Sequence, residues 1–378
     1  VVKMRMKGAP GDMSRAHQIY DALTARAKTA EQELSHIAGM DINPNSSDTI
    51  ERAFKAHNIP IPTTFDKKTQ SHKKSFAAPL LEIIDHPITE KILEIRRMNK
   101  VANVFVKSYI VNKQVNGRLH CSFHPLKSDD GGARSGRFSS SDPNLQNIPI
   151  RTAEGKLVRK AFAAGRGAIW RKWDYSQIEY RLLAHHAVGP GAAELQATYR
   201  ANPKTDYHDT VMHMIAGLAG WDISTEEGLK QWRRPTKTIN FGLIYGMSKK
   251  ELIKRLKLAL AEGNALYENY HRAAPFIQKT MDAAKDEANA YGSVRTLLGR
   301  KSDFILWGPR EFNPGAVGLP YEQAILKYGA VERAYTHKAL NRKLQGGAAD
   351  IMKKAMVDCY EAGLFEEDAC GIPILTVH

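Results

Sequence analysis

The chain has 378 residues, 43% of them hydrophobic, with 55 lysines and arginines against 40 aspartates and glutamates and a formal charge of +15. That composition is globular rather than disordered or fibrous, no run approaches the roughly 18 apolar residues of a membrane span, and no apolar leader with a cleavage site opens the chain. Cys121, Cys359 and Cys370 lie at spacings that suit neither a disulfide framework nor a common zinc site, so a reducing intracellular compartment is expected. The cationic surplus calls for a polyanion, of which nucleic acid backbone is the commonest in a cell. It is uneven: from Gly346 onward two lysines face six carboxylates, net −4, leaving +19 for the rest.

In chain order, Ala30 to Ala38 has helical spacing and stops at Gly39. The turn Asn43-Pro44-Asn45-Ser46-Ser47-Asp48 offers a cap for a helix through Ile50 and Phe54. A polar loop with Lys67, Lys68, Lys73 and Lys74 follows, and by itself it is either solvated charge or a phosphate contact. A long helical pattern runs from about Ile88 to Ile110. The stretch from Asn116 to Arg151 is loop-like, a length usually functional or disordered. Ala168 to Asp174 alternates like a strand, and Ile178, Leu182, Leu183 and Ala187 return to helical spacing. Helices are expected from Tyr207 to about Ala290, a turn at Gly299-Arg300-Lys301, a helix from about Tyr321 to Leu340, another around Ala348 to Tyr360, and a last strand-like run, Ile374-Leu375-Thr376-Val377-His378. The chain opens on Val1 rather than Met and stops inside that apolar run, as a fragment of something longer would.

Two constellations carry chemistry. Asp174 stands where the strand pattern gives way to a helix, a position suited to a divalent-metal ligand in phosphate chemistry. It could equally cap that helix, although Ser176 and Glu179 form the S-x-x-E pattern of a capping box and compete for the role. In the run Arg233-Arg234-Pro235-Thr236-Lys237-Thr238-Ile239-Asn240-Phe241-Gly242-Leu243-Ile244-Tyr245-Gly246, a helix places Arg233, Lys237, Phe241 and Tyr245 on one stripe. Two cations followed by two aromatics would match a nucleotide, phosphates at one end and base and sugar at the other. Spacing alone also admits an ordinary half-exposed face with snorkelling cations.

These runs, with Ser135-Gly136-Arg137-Phe138-Ser139-Ser140-Ser141-Asp142-Pro143-Asn144-Leu145-Gln146-Asn147-Ile148-Pro149 before them and Gln345-Gly346-Gly347-Ala348-Ala349-Asp350 and Val377-His378 after, resemble the ordered signature motifs of family A DNA polymerases, the bacterial DNA polymerase I type. The resemblance spans nearly the whole chain. It implies an α+β, mostly helical right-hand fold with thumb, palm and fingers, and template-directed addition of deoxynucleotides to a primer 3′-hydroxyl with two magnesium ions. Asp174 is then a catalytic metal ligand, with the Tyr175 carbonyl as second donor, and acts as a ligand rather than a general base. Glu179 matches the family's steric gate against a ribose 2′-hydroxyl. Arg233 and Lys237 match residues that grip the triphosphate, His208 a further phosphate contact, and Gln177 another nucleotide neighbour. Phe241 matches the ring on the sugar, where Phe is associated with discrimination against dideoxynucleotides, and Tyr245 and Gly246 the end of the helix beside the templating base. Arg233, Lys237 and Tyr245 join Asp174 in the implied catalytic set.

Arg137, Asn144, Gln146, Asn147, Asn341, Gln345 and His378 match positions on the primer-template, several in the minor groove, whose acceptors vary little with sequence. Lys67, Lys68, Lys73 and Lys74 correspond to the thumb tip. The implied division is thumb with an N-terminal palm edge over 1–115, palm with the primer-template loop and first metal motif over 116–200, fingers over 201–320, and the return to the palm over 321–378. Implied partners are primer-template DNA and deoxynucleoside triphosphates, with a processivity factor left open, no membrane, and a monomer in the cytoplasm of a bacterium or a phage-infected host. The loop from Leu126 to Ser135 has a viral rather than a bacterial character.

Two departures stand out. Pro235 lacks an N–H and disfavours helical angles at Arg234, so the helix is expected to start near Pro235, with Arg233 on its lead-in. The family's last motif continues from His to Asp and Glu, whereas His378 ends this sequence, so the chain as given is expected not to catalyse while its parent does. Two other readings stay open: a single-subunit RNA polymerase, against which Glu179 argues, and a non-catalytic primer-template binding protein.

Overall fold

The computed structural model describes residues 1–378 except 67, 68, 70, 129, 130, 151, 166, 257, 312–314, 367–370, 377 and 378, and the side chain of residue 218. More than half of the chain is helical and the sheets have two or three short strands each, so the fold is α+β and mostly helical. It divides into two compact units. One comprises Val1–Gly132, Phe138–Lys172 and Leu364–His378; the other comprises Ala133–Arg137 and Trp173–Gly363.

In the first unit the helix Met13–Ala38 buries Ala16, Ile19, Leu23, Ala27, Ala30, Leu34 and Ala38, a stripe at three- and four-residue steps. Asp12 caps its start by accepting from the Arg15 amide, and Gly39, at φ 63°, ends it as expected. The stripe packs on Pro87–Lys100 and the π-helical Val101–Val111, which continues the same run and buries Val101, Ala102, Phe105, Val106 and Ile110. Helix Ser47–Ala56 starts from Ser46, within the expected turn.

Where the sequence reads as loop, hairpins form. Thr63–Asp66 pairs antiparallel with Ser71–Lys74, so Lys73 and Lys74 lie on a β-ribbon, while Lys67 and Lys68 lie outside the described residues. Between Asn116 and Arg151, Ser122–His124 pairs with the three consecutive serines Ser139–Ser141, a run too polar to register as strand. The converse also occurs. Ala168 to Asp174 forms no strand, nor does 371–376, and residues 377 and 378 lie outside the described residues. A strand exists only as a ladder, and with none formed here Ile169 stays 73% exposed and Trp170 and Trp173 are also exposed.

The second unit is built on helices Ile178–His186, Tyr207–Ala219, Glu226–Ile244, Leu260–Ala273, Pro275–Tyr291 and Ala339–Glu361 around one core. Buried Gly347 lets the last helix approach Ile178–His186 closely, since a Cβ there would stand 3.2 Å from Leu182. The helix expected from Tyr321 to Leu340 is broken instead. Tyr321–Tyr328 ends at Gly329, at φ 70° and ψ −99°, a conformation other residues resist. Val331–Arg333 then pairs with Trp307–Pro309, with Arg333 over the Trp307 ring, before the chain re-enters helix at Ala339.

The helix Glu226–Ile244 runs unbroken through Pro235, which overturns a start near that residue. Thr225, ten residues before Pro235, caps it by accepting from the Gly228 amide at 3.0 Å. The turn before Pro235 is anchored from outside: Trp232 stacks on Trp221 with centroids 4.6 Å apart, and Arg233 pairs with Asp206 and Asp209. The Thr236 and Thr238 hydroxyls donate to the carbonyls of Trp232 and Arg234. Tertiary anchoring therefore outweighs a propensity cost of about 3 kcal/mol. Replacing Pro235 with Ala restores the missing N–H and is expected to raise unfolding free energy by about 2 kcal/mol after the unfolded-state entropy is allowed for. Urea melts check this, and an unchanged or lower stability would show that the proline is accommodated without cost.

Candidate active site

The helix Glu226–Ile244 has two faces. Thr236, Ile239, Asn240 and Leu243 are buried, while Lys237 is exposed, Phe241 is 46% exposed, and Arg233 and Tyr245 are half-buried on the opposite stripe. Beneath the stripe lies an aromatic box. Tyr180 stacks on Tyr207 at 4.6 Å and meets His208 and Phe241 edge-on at 4.7 and 5.4 Å. Phe241 is thus held against Tyr180 while nearly half of its surface stays open to solvent.

Asp206 ties two helices together. Its carboxylate caps Tyr207–Ala219 by accepting from the His208 and Asp209 amides, and it also accepts from Arg233 Nη2. Arg233 Nε lies 3.1 Å from Asp209. Burial opposes the charge on Asp206, but the Arg233 bond and the His208 amide outweigh it and hold the carboxyl below its usual range. His208, only 3% exposed, accepts at Nδ1 from the Asn240 side-chain amide at 3.0 Å. Burial, with Lys237 and Arg233 nearby, brings the ring down to about 4 despite Asp206. His208 is therefore a neutral core ring, within electrostatic reach of the cations but not on their exposed face.

Glu179, with a side chain 13% exposed, accepts from Arg137 Nη2 on one oxygen and from the Tyr245 hydroxyl on the other. The capping box is not formed. Gln177, at φ 52°, takes the N-cap position without a side-chain cap, leaving the Glu179 carboxylate to turn toward Arg137 and Tyr245. Gln177 Oε1 instead accepts from the Tyr207 amide at 2.9 Å. Burial, then the Glu179 charge, push the Tyr245 phenol well above its ordinary range, so it is a permanent donor, and Gln345 lies within hydrogen-bonding reach of it. Gly246 follows at φ 79° and closes the helix. The structure thus brings Arg137, Glu179, Tyr245 and Gln345 together at one end of the stripe. Asn341, one turn before Gln345, keeps a buried Oδ1 without a hydrogen-bond partner among the described residues.

Asp174 and Tyr175 are exposed, five and four residues ahead of Glu179. Among the described residues no group of three or more His, Cys, Asp and Glu side chains could hold a metal ion. One carboxylate and one carbonyl suit a magnesium ion that shares its sphere with water and substrate phosphates, but they are not a protein-built cage.

The sequence profile of DNA polymerase family A matches residues 13–378. The chain belongs to this family. It is 32% identical over 362 residues to the thermostable DNA polymerase I of Thermus thermophilus, covering 94% of this chain and 39% of that one. With DNA polymerase I of Pseudomonas aeruginosa the identity is 33%, covering 92% and 35%. Among solved structures, the POL domain of Pol1 from M. smegmatis, in complex with DNA primer-template and dNTP, matches with TM-score 0.71 and 28% identity, over 96% of this chain and 59% of that one. The chain therefore spans about 39% of the length of the Thermus relative, and its fold is that of a family A polymerase domain.

The other residues expected to meet primer-template lie in the first unit. Lys73 pairs with Asp66 at 2.8 Å and Lys74 with Glu51 at 2.6 Å; Lys55 and Lys74 hold the Glu51 carboxyl below its usual range. Such surface pairs are weak and exchange readily. Asn144 Oδ1 accepts from Ser140 Oγ and the Gln146 amide, Gln146 Nε2 donates to the Thr376 carbonyl at 2.8 Å, and Asn147 is exposed. His378 lies outside the described residues. Sequence reasoning missed Asp206 and Asn240. An aspartate just ahead of an apolar helix was a legible capping signal for the first, whereas Asn240 carries no signal before the fold places it beside His208.

His208 also yields a pH dependence. Its folded pKa of about 4 lies below the ordinary 6.5, so the unfolded chain takes the proton first. The stability from its neutral burial is complete above pH about 6.5 and is lost as pH falls from there toward 4. His186, likewise lowered to about 4 by burial, adds to the slope. Denaturation midpoints from pH 7 to 4.5 are expected to fall less steeply in His208→Gln than in wild type, and identical slopes would refute the assignment.

Proposed function

We propose that the chain carries the nucleotidyl-transfer site of a template-directed DNA polymerase that extends a primer 3′-hydroxyl with deoxynucleoside triphosphates. The observation that carries this is the stripe Arg233, Lys237, Phe241 and Tyr245, with Glu179 bonded at its far end. Its geometry suits a nucleotide laid along the helix. Arg233, steadied by Asp206 and Asp209, and exposed Lys237 meet the phosphates. Phe241 offers its face to the sugar, and the Glu179 carboxylate, pinned by Tyr245 and Arg137, occupies the space a 2′-hydroxyl would need. That crowding favours a deoxynucleotide enzyme over an RNA polymerase.

Asp174 and the Tyr175 carbonyl would hold magnesium, which as a pair of ions supplies charge neutralisation at the transferred phosphoryl group and activation of the primer hydroxyl. Arg137, Asn341 and Gln345, with Lys73, Lys74, Asn144, Gln146 and Asn147, would serve primer-template DNA. Residues 1–115 are assigned to the thumb with an N-terminal palm edge, 116–200 to the palm, 201–320 to the fingers, and 321–378 to the return from fingers to palm. The relatives named DNA polymerase I and the solved neighbour with primer-template and dNTP support the reading.

Primer extension tests it, measured on the chain and on a version extended past His378 with Asp and Glu. Lys237→Ala and Arg233→Ala are expected to lower kcat/KM for dNTP by about 100-fold or more while primer-template binding holds. Asp174→Asn is expected to abolish incorporation without abolishing DNA binding. Wild-type incorporation by these variants, or no incorporation by either parent form, would overturn the proposal.

A further inference from the structure

Arg300 sits in the tight turn between strands Ser293–Arg295 and Lys301–Asp303, and its side chain crosses to two other parts of the second unit. Its Nε donates to Asp350 Oδ1 at 2.6 Å, and its Nη2 donates to the Ser135 carbonyl at 2.7 Å. Asp350, whose side chain is 10% exposed, is completed by the Thr296 hydroxyl at 2.6 Å. Thr296 Oγ1 in turn accepts from the Arg300 amide at 3.0 Å, which locks the turn. A planar guanidinium can serve a carboxylate and a carbonyl at once in fixed directions, which an ammonium cannot.

The two glycines flanking this guanidinium leave room for it. A Cβ on Gly136, at φ 82°, would stand 2.7 Å from Arg300 Cζ; one on Gly346 would stand 2.6 Å from Nη2 and 3.4 Å from the Ser135 carbonyl oxygen. Nothing larger fits on either side without moving the fork. Arg137, the residue after Gly136, makes the ion pair with Glu179. We infer that Arg300 is a positioning residue. By holding Ser135 against the Asp350 helix it sets where Arg137 emerges, and through Arg137 it sets the Glu179 and Tyr245 bonds at the end of the nucleotide stripe.

The DNA side of this inference rests on the proposal that Arg137 meets primer-template. Two readouts separate the claims. In the ligand-free protein, amide exchange at Gly136, whose N–H donates to Ala133, is expected to speed up about tenfold or more in Arg300→Lys, while exchange within Ile178–His186 is unchanged. Unchanged exchange at Gly136 would overturn the inference whether or not DNA binds. In equilibrium binding of a labelled primer-template, Arg137→Ala is expected to cost about tenfold in wild type but less than about twofold on top of Arg300→Lys. A full tenfold cost in both backgrounds would overturn it. Gly346→Ala, which favours the helix but intrudes on the guanidinium, is expected to reproduce the Arg300→Lys loss, and native affinity in that variant would contradict the inference. A wild-type protein that binds no primer-template refutes the proposed function and leaves exchange at Gly136 to decide the role of Arg300.

Discussion

The Glu179 carboxylate is the contact on which the site depends. It lies in the first turn of Ile178–His186, where the helix dipole favours a negative charge, but its partial burial demands further partners. Arg137 supplies the charge and Tyr245 a neutral donor, one to each oxygen. Three segments distant in sequence therefore converge on one residue. Removing either partner leaves a carboxylate half-satisfied, and such a loss costs more than the contact contributes when whole.

A second carboxylate frames the other end. Asp206 caps Tyr207–Ala219 and simultaneously holds Arg233 of Glu226–Ile244, so one side chain fixes both a helix start and the crossing of two helices. Between these anchors the buried face is neutral, with Asn240 on His208 and the tyrosine box below. The exposed face keeps Lys237 and Phe241 outward. Positive charge and a half-exposed ring are thus presented on a helix held near its middle by Arg233 and at its C-terminal end by Tyr245, the preorganisation that phosphoryl transfer requires of its positioning groups.

Much of this was legible in the sequence, and the failures have physical causes. The stripe at 233, 237, 241 and 245 follows from helical periodicity, and Gly39 ended its helix where it stood. The start predicted at Pro235 failed because local propensity knows nothing of Trp221 stacking on Trp232 or of Asp206 waiting for Arg233. The Ser176 and Glu179 box failed because a carboxylate satisfied by Arg137 and Tyr245 has no reason to cap. The alternation at Ala168 to Asp174 describes a strand only if a ladder forms, and no pattern within seven residues can announce a partner. Arg300 stood in an expected turn and Asp350 in a family motif, but fifty positions apart nothing in the sequence announced that they pair. Membrane insertion had no support in the sequence, and no described helix is long and apolar enough to cross a bilayer.

The most direct measurement is sugar discrimination. If Glu179 bars a 2′-hydroxyl from the stripe, Glu179→Ala should lower the preference for dNTP over the matching rNTP, as the ratio of kcat/KM values, by about 10- to 100-fold. Most of the change should come from improved ribonucleotide use. An unchanged ratio, or a loss shared equally by both substrates, would show that Glu179 only braces the helices and that the nucleotide lies elsewhere.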